Sequence, residues 1–389
     1  MSQRSRRSYL KGVGTVGVVA LAGCMSDEGD SDTTTATQQG QGGKTGTPTR
    51  NRSYTVKIAS TSSPWQEKYL VYNLDGRHTG GNGWKGNLEE ESGGDFDVKL
   101  FRGGKLGSGK KLATKIQQGD VQLGKLSLAN MSPYAPIADL VNLPFFLGQY
   151  ASAWDLTQAW LNLTTSPTWE EKVDSKIQEN GFRPIYWTGG PARSVFATEK
   201  LGAVKEPSDM EGVTHRTPGS KILAQMWDTI GANPTNIAWS ETPQALKEGV
   251  ASTMHVGLPG FLFGFQDVIT DISMTNIVQD DITFAFSQKW YDDLPSDLQK
   301  AVDRAAEKTK REFIQYIPTA DQEMRAYLEN NGATVHELNE DQIAMWAEKV
   351  TWEKSMWDDY KKDFAGSKEQ AKQLQEGVNH ESKYQIPDF

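Results

Sequence analysis

One cysteine in 389 residues, Cys24, excludes both a disulfide framework and a thiolate metal cluster. Positive charge is scarce as well, with 41 Lys and Arg against 50 Asp and Glu. Such an acidic body lacks the basic footprint that nucleic-acid binders need. Beyond the N-terminal segment no run of about 18 apolar residues occurs, so no later stretch spans a bilayer as a helix. The histidines, His78, His215, His255, His336 and His380, form no HExxH and no close metal pair. Gly81-Asn82-Gly83-Trp84-Lys85-Gly86 matches the dinucleotide pattern in its letters, but no strand runs into it. The stretch from Gly104 to Lys111 nearly spells a phosphate loop, yet Lys111 stands where a magnesium-binding Ser or Thr is required. No context singles out a serine nucleophile. The sequence therefore gives no positive sign of catalysis, of a cofactor or of a metal site, and the reading is of a protein that is not an enzyme.

What is present begins with an address. Ser5-Arg6-Arg7-Ser8-Tyr9-Leu10-Lys11 fits the twin-arginine export signal. An apolar stretch from Val13 to Ala22 follows, too short to span a bilayer, which takes ~20 residues. It ends in Leu21-Ala22-Gly23-Cys24, which resembles the lipobox at which a signal peptide is cut and the cysteine acylated. Residues 1–23 thus read as signal peptide, and 24–52 as a lipidated Cys24 and a disordered tether. From Met25 to Arg52 the chain has almost nothing apolar and cannot offset its chain entropy by burial. The expected location is outside the cell, lipid-anchored to the outer face of the cytoplasmic membrane. Cleavage would remove Arg4, Arg6, Arg7 and Lys11 and no acid. An anionic ligand would then need a local positive site.

The body alternates strand and helix signals. Thr55 to Ala59 and Phe96 to Phe101 read as strands, and Lys110 to Gln118 as a helix stopped by Gly119. Val121 to Ala129 reads as another strand, and Trp154 to Ile177 as largely helical. Strands over Arg183 to Thr188 and Arg193 to Ala197 flank Gly189-Gly190-Pro191. A strand from Val213 to Thr217 leads through Pro218-Gly219 to Ser220, an N-cap for a helix ended by Gly231. Thr242-Pro243 opens a further helix that closes at Gly249. This alternation predicts an α/β fold with open, mostly parallel sheets. From Pro295 to Asn330 apolar residues recur at helical spacing. That pattern suits a two-helix hairpin or one helix of about 35 residues and ~50 Å, kinked at Pro318. A strand signal at Val335 and helices to about Gln375 follow.

Several blocks then occur in a fixed order. They are Glu90-Glu91-Ser92-Gly93-Gly94 before Val98-Lys99-Leu100-Phe101, Lys105-Leu106-Gly107, Ile116-Gln117-Gln118-Gly119-Asp120-Val121 and Asn142-Leu143-Pro144-Phe145-Phe146. Lys205-Glu206-Pro207-Ser208-Asp209-Met210-Glu211-Gly212 leads into Arg216-Thr217-Pro218-Gly219-Ser220, followed by Gly231-Ala232-Asn233-Pro234 and Trp239-Ser240-Glu241. Asp293-Leu294-Pro295 completes the set. From about Tyr54 onward the chain resembles the periplasmic binding components of TRAP transporters, of the dicarboxylate-binding (DctP) type. The resemblance implies two α/β lobes closing like a Venus flytrap, with a long helix spanning both. The lobes would comprise 53–189 plus 282–320 and 190–281 plus 321–389. It also implies delivery of a small organic acid to a permease of small and large membrane subunits, driven by an ion gradient.

In that family an Arg at the position of Arg216 pairs with the ligand carboxylate. Position supports the same role independently, because Arg216 lies at the carboxyl end of a strand, where open α/β folds form ligand crevices. Only guanidinium offers a planar fork matching a carboxylate. The resemblance marks Arg193 as a second basic position and Trp239 as a cleft-lining aromatic. Thr61, Trp65, Ser127 and Asn130 follow strands on the other lobe and join the ligand-binding candidates. The stretch Ser252-Thr253-Met254-His255-Val256 departs from the pattern. His255 replaces a Glu and Val256 a residue that often hydrogen-bonds ligand, so contacts away from the carboxylate are altered. Pro243 also stands where a Tyr is common. Two other readings compete: a sensory binding protein serving a signalling receptor, and a surface-anchored hydrolase, which needs a carboxylate pair about 5–9 Å apart in a groove.

Overall fold

The computed structural model describes residues 53–70, 72, 74–187 and 192–387. The export signal, Cys24, the tether and Gly189-Gly190-Pro191 lie outside the described residues. Eleven strands are named: β1 (Tyr54–Ala59), β2 (Phe96–Phe101), β3 (Leu123–Ser127), β4 (Phe182–Tyr186), β5 (Ser194–Thr198), β6 (Thr214–Thr217), β7 (Asn233–Asn236), β8 (Thr253–Val256), β9 (Ile269–Met274), β10 (Ile282–Ser287) and β11 (Thr334–Glu337).

They form two sheets. The first has the order β2-β1-β3-β10-β4 and the second β11-β9-β5-β8-β6-β7. Both are parallel apart from one strand each, β10 in the first and β5 in the second. Those two exceptions share a cause: each is the first strand the chain enters after crossing from one sheet to the other. The crossings meet at an antiparallel bridge between Ala192 and Gln279 and at an Arg193 amide bonded to Val278 O at 2.9 Å. Phe145 and Asn276, the non-glycine residues with positive φ among the described residues, at 57° and 50°, bond to backbone near these crossings. The Phe145 amide donates to Ile277 O at 2.8 Å, and Asn276 Nδ2 donates to Ala151 O at 2.7 Å. Backbone in this conformation persists only where surrounding bonds over-determine it.

Local signals explain most element ends. Gly119 and Gly231 terminate the helices Gly109–Gln118 and Lys221–Ile230 at φ 85° and 110°, conformations that cost a side chain dearly. Ser220 accepts from the Leu223 amide at 3.3 Å, capping the second of these helices. Gly124, inside β3, has no room for a Cβ, which would lie 2.6 Å from Ile116 Cδ1.

Ser296–Asn330 is a single helix that runs through Pro318, so the hairpin alternative falls away. Its buried face carries Leu298, Val302, Phe313 and Ile317 into one apolar cluster and Met324 and Leu328 into a second. One helix thus contributes to both clusters. The helix Glu340–Val350 packs on Lys221–Ile230, whereas Asp358–Ala365 returns to pack on residues 136–142. Among the described residues no helix is long and apolar enough to cross a membrane.

Candidate functional site

The ligand-binding candidates of the second sheet lie on β6 and β8 and in the loop after β7. β6 carries Arg216 beside Met254 of β8, and the same strand pair sets His215 opposite Thr253. Because side chains alternate along a strand, Arg216, Met254 and Val256 share one face, and His215, Thr253 and His255 share the other. The first face holds the second lobe's apolar cluster, with Met254, Ile237, Phe261 and Phe265 buried and Trp239, Val256 and Phe263 packed at its margin.

Arg216 is 5% exposed. Its Nε donates to Ile237 O at 3.0 Å, which fixes the guanidinium plane, and its Cζ lies 5.4 Å from the centre of the Trp239 ring. Trp239 is wedged against Phe263 and Phe265 at 5.8 and 5.3 Å. Among the described residues no carboxylate pairs with Arg216. Burial, and then the charge of Arg193, lower its pKa to about 10, so it stays charged at neutral pH. A buried cation without a counter-ion is costly, and in a binding cleft the missing partner is the ligand.

Arg193 is occupied. Its Nη2 donates to Asp281 Oδ1 at 2.8 Å, and its Nε lies 3.6 Å from Asp280 Oδ1. Burial works against its charge, yet Asp281 and Asp280 hold its pKa above the usual value. The Asp281 pKa is raised too, since burial and Asp280 outweigh Arg193. The opposite demands of the two partners reflect two carboxylates sharing one guanidinium. The 2.8 Å contact, with the Leu128 amide donating to Asp281 Oδ2 at 3.1 Å, favours an ionised pair. Arg193 therefore ties the crossings to the first lobe, and Asp281 and Asp280, 88 and 87 positions away in sequence, gave no local signal of this.

His255 is not placed to touch a ligand. It is 2% exposed, with Nε2 3.2 Å from Arg193 O and its ring edge-on to Trp227 at 5.2 Å. His215 lies against the same indole at 4.0 Å, with Nδ1 2.8 Å from Thr253 Oγ1. Burial lowers the pKa of His255 to about 3, with Arg193 adding to the effect, and holds His215 well below its usual value. Both rings are neutral core residues. Val256 is on the crevice face, its methyls filling the space over Gly260.

From the first lobe, β3 ends at Ser127, and the two candidates there serve each other. The Ser127 amide donates to Asn130 Oδ1 at 3.3 Å, closing a cap around residues 128–130. Both remain partly exposed. Thr61, also partly exposed, lies in the loop after β1, next to the short turn Gln66–Tyr69. That turn reaches the second lobe directly, through Gln66 Nε2 donating to Leu262 O at 2.9 Å. Trp65 is 50% exposed and stands at the rim, 6.5 Å from Tyr69 and 6.4 Å from Tyr327 of the long helix. A separate surface depression, lined by Ser166, Lys172, Gln373 and His380, draws on none of these residues. Among the described residues no group of three or more His, Cys, Asp or Glu could hold a metal ion.

The family model described as Bacterial extracellular solute-binding protein, family 7 (DctP) matches residues 72–363. A solute-binding protein of Chromohalobacter salexigens is 23% identical over 227 residues, covering 58% of this chain and 64% of that protein. The chain thus spans less than two thirds of that relative. The C4-dicarboxylate-binding periplasmic protein DctP of Vibrio cholerae is 24% identical over 290 residues, covering 71% and 79%. Among solved structures, a TRAP periplasmic solute binding protein from Chromohalobacter salexigens with bound D-glucuronate aligns with TM-score 0.70 and 19% identity, over 83% of this chain and 99% of that one. One from Polaromonas bound to D-erythronate aligns with TM-score 0.69 and 20% identity, over 82% and 98%. At these identities the structural likeness establishes the fold.

Proposed function

This chain belongs to the bacterial extracellular solute-binding proteins of family 7, and from that premise we propose that it captures a small organic acid between two closing lobes and hands it to a TRAP-type permease. The observation that carries the reading is Arg216: buried, charged, fixed through Nε, and without a carboxylate partner among the described residues. Its two terminal nitrogens remain for a bidentate pair with a ligand carboxylate. Trp239 braces the guanidinium from one side and gives the ligand an apolar wall. Closure is a hinge motion about the paired crossings at Ala192 and Gln279, with the lobes divided as the two sheets divide.

The relatives' bound ligands, glucuronate and erythronate, are carboxylates and fit such a clamp. Ser127, Asn130, Thr61 and Trp65 would approach the ligand from the first lobe, and Val256 from the second. The sequence supports export by the twin-arginine route and anchoring through Cys24, which would keep the protein beside the permease subunits. A thermal-shift screen against a panel of carboxylates tests the reading. At least one acid should raise the melting temperature, and Arg216→Ala should weaken its binding roughly 10²–10³-fold. Binding unaffected by that substitution refutes the clamp.

A further inference from the structure

We propose that the ligand joins its carboxylate to an apolar alkyl or aryl body, seated on Trp239, Phe263 and Val256, and is not a polyhydroxy acid. The inference rests on Arg216 holding the carboxylate. Four side chains form a continuous line of contacts that starts at the guanidinium. Arg216 Cζ lies 5.4 Å from the centre of the Trp239 ring, and that ring lies 5.8 Å from Phe263. Phe263 ends the turn Leu258–Phe263. Gly260 of the same turn lies against Val256, whose methyl carbons would stand 2.7 and 2.9 Å from a Cβ at that position. Val256 closes the line, because it stands two residues beyond Met254 on β8, and Met254 is the register partner of Arg216. Side chains two apart on a strand share a face.

Beyond the guanidinium this wall is apolar and still open to solvent. Trp239, Phe263 and Val256 pack at the margin of the second lobe's apolar cluster, and each is partly exposed. Apolar surface left wet beside a buried charge is surface that a bound ligand can cover. The hydroxyls close by are engaged elsewhere. Ser194, the register partner of Val256 on β5, is buried with its Oγ 2.9 Å from Met274 Sδ. Ser220 caps its own helix, and Thr242 Oγ1 donates to Ala238 O at 2.9 Å. Thr235 of β7, the polar register partner of Arg216, lies on the far side of β6 from Val256. On the first lobe, Ser127 and Asn130 bond to each other's segment. Aromatic groups extend the wall instead. Tyr69 packs against the same cluster, Phe261 of the turn lies 6.4 Å from Tyr327, and half-exposed Trp65 lies 6.4 Å from that same ring. A polyhydroxy body laid on Trp239, Phe263 and Val256 would leave hydroxyls without partners, whereas an alkyl or aryl body gains by leaving water.

Calorimetric titration of the full chain at pH 7.5 with acids of like size tests this: butanoate against erythronate, and cyclohexanecarboxylate against glucuronate, with phenylacetate as the aryl probe. In at least one pair the unhydroxylated acid should bind about 10- to 100-fold tighter. Affinity should also rise about two- to fourfold per methylene from propanoate to pentanoate. Val256→Thr, which keeps the shape and adds a hydroxyl, should narrow the gap within that pair at least about threefold, a change of ratio that a general loosening of the site does not give. Phe263→Leu should weaken phenylacetate about 3- to 10-fold and propanoate less than about twofold. Thermal unfolding of each variant confirms that it is folded. Hydroxylated acids binding at least as tightly in both pairs, or preferences that neither substitution alters, overturn the apolar body and leave the Arg216 clamp standing. Affinities unchanged by Arg216→Gln, or no binding by any acid, overturn the clamp and this inference with it.

Discussion

Arg193 and Asp281 each stand one residue before the strand by which the chain enters a new sheet, and their side chains meet at 2.8 Å. The two crossings are thus held together by a buried ion pair as well as by backbone bonds. Asp281→Asn would leave Arg193 with Asp280 alone, at 3.6 Å. It should cost about 3–5 kcal/mol of unfolding free energy, read by urea denaturation. Replacing both residues by apolar ones of similar volume should recover much of that loss, because no buried charge is then left unpaired.

Stability should depend on pH through His215 and His255. Both have folded pKa values below the ordinary imidazole value, so the unfolded chain binds protons first as pH falls. Their contribution is complete above about pH 6.5 and lost progressively below it, by up to about 1.4 kcal/mol per pH unit for each ring. His255→Gln should show a shallower loss between pH 6.5 and 4.5 than the parent protein, in denaturation curves at each pH.

Asp174 should act with the opposite sign. Burial raises its pKa to about 7, even though Trp169 Nε1 donates to its Oδ1 at 3.0 Å and Lys310 lies nearby. The folded state binds this proton more tightly than the unfolded chain, so the stability it lends is complete below about pH 4 and is lost progressively as pH rises to about 7. Asp174→Asn, which keeps an acceptor for the indole, should stabilise the protein most at pH 8, less at pH 5 and little at pH 4 in the same assay.

Trp239 should matter to affinity out of proportion to its burial. It holds the guanidinium face and the crevice wall together. Trp239→Ala should weaken carboxylate binding by about 3- to 30-fold, the worth of a cation–π contact of roughly 0.5–2 kcal/mol. Trp239→Phe should fall between the two, measured by titration calorimetry.

Local chemistry explains which features the sequence disclosed. Gly119, Gly231 and Ser220 act within four residues of themselves, and each ends or caps the helix expected of it. The place of Arg216 on its strand was legible because a strand end, a turn and a helix cap follow one another there. His255 misled because a one-dimensional pattern does not say which face of β8 a residue takes, and an odd-numbered neighbour of Thr253 goes to Trp227. Arg193 misled because its partners lie almost ninety positions away. Ser127 and Asn130 read as ligand-binding candidates after a strand, and the sequence did not show that the turn between them uses part of their bonding capacity. The reversed directions of β5 and β10 were invisible, since strand direction depends on where the crossings lie and not on composition.

The most direct test of the account is a crystal structure of the protein with a bound acid identified by native mass spectrometry. The ligand carboxylate should lie in the plane of the Arg216 guanidinium, its two oxygens about 2.7–2.9 Å from the terminal nitrogens. A ligand seated elsewhere, or one whose carboxylate turns away from Arg216, would contradict it.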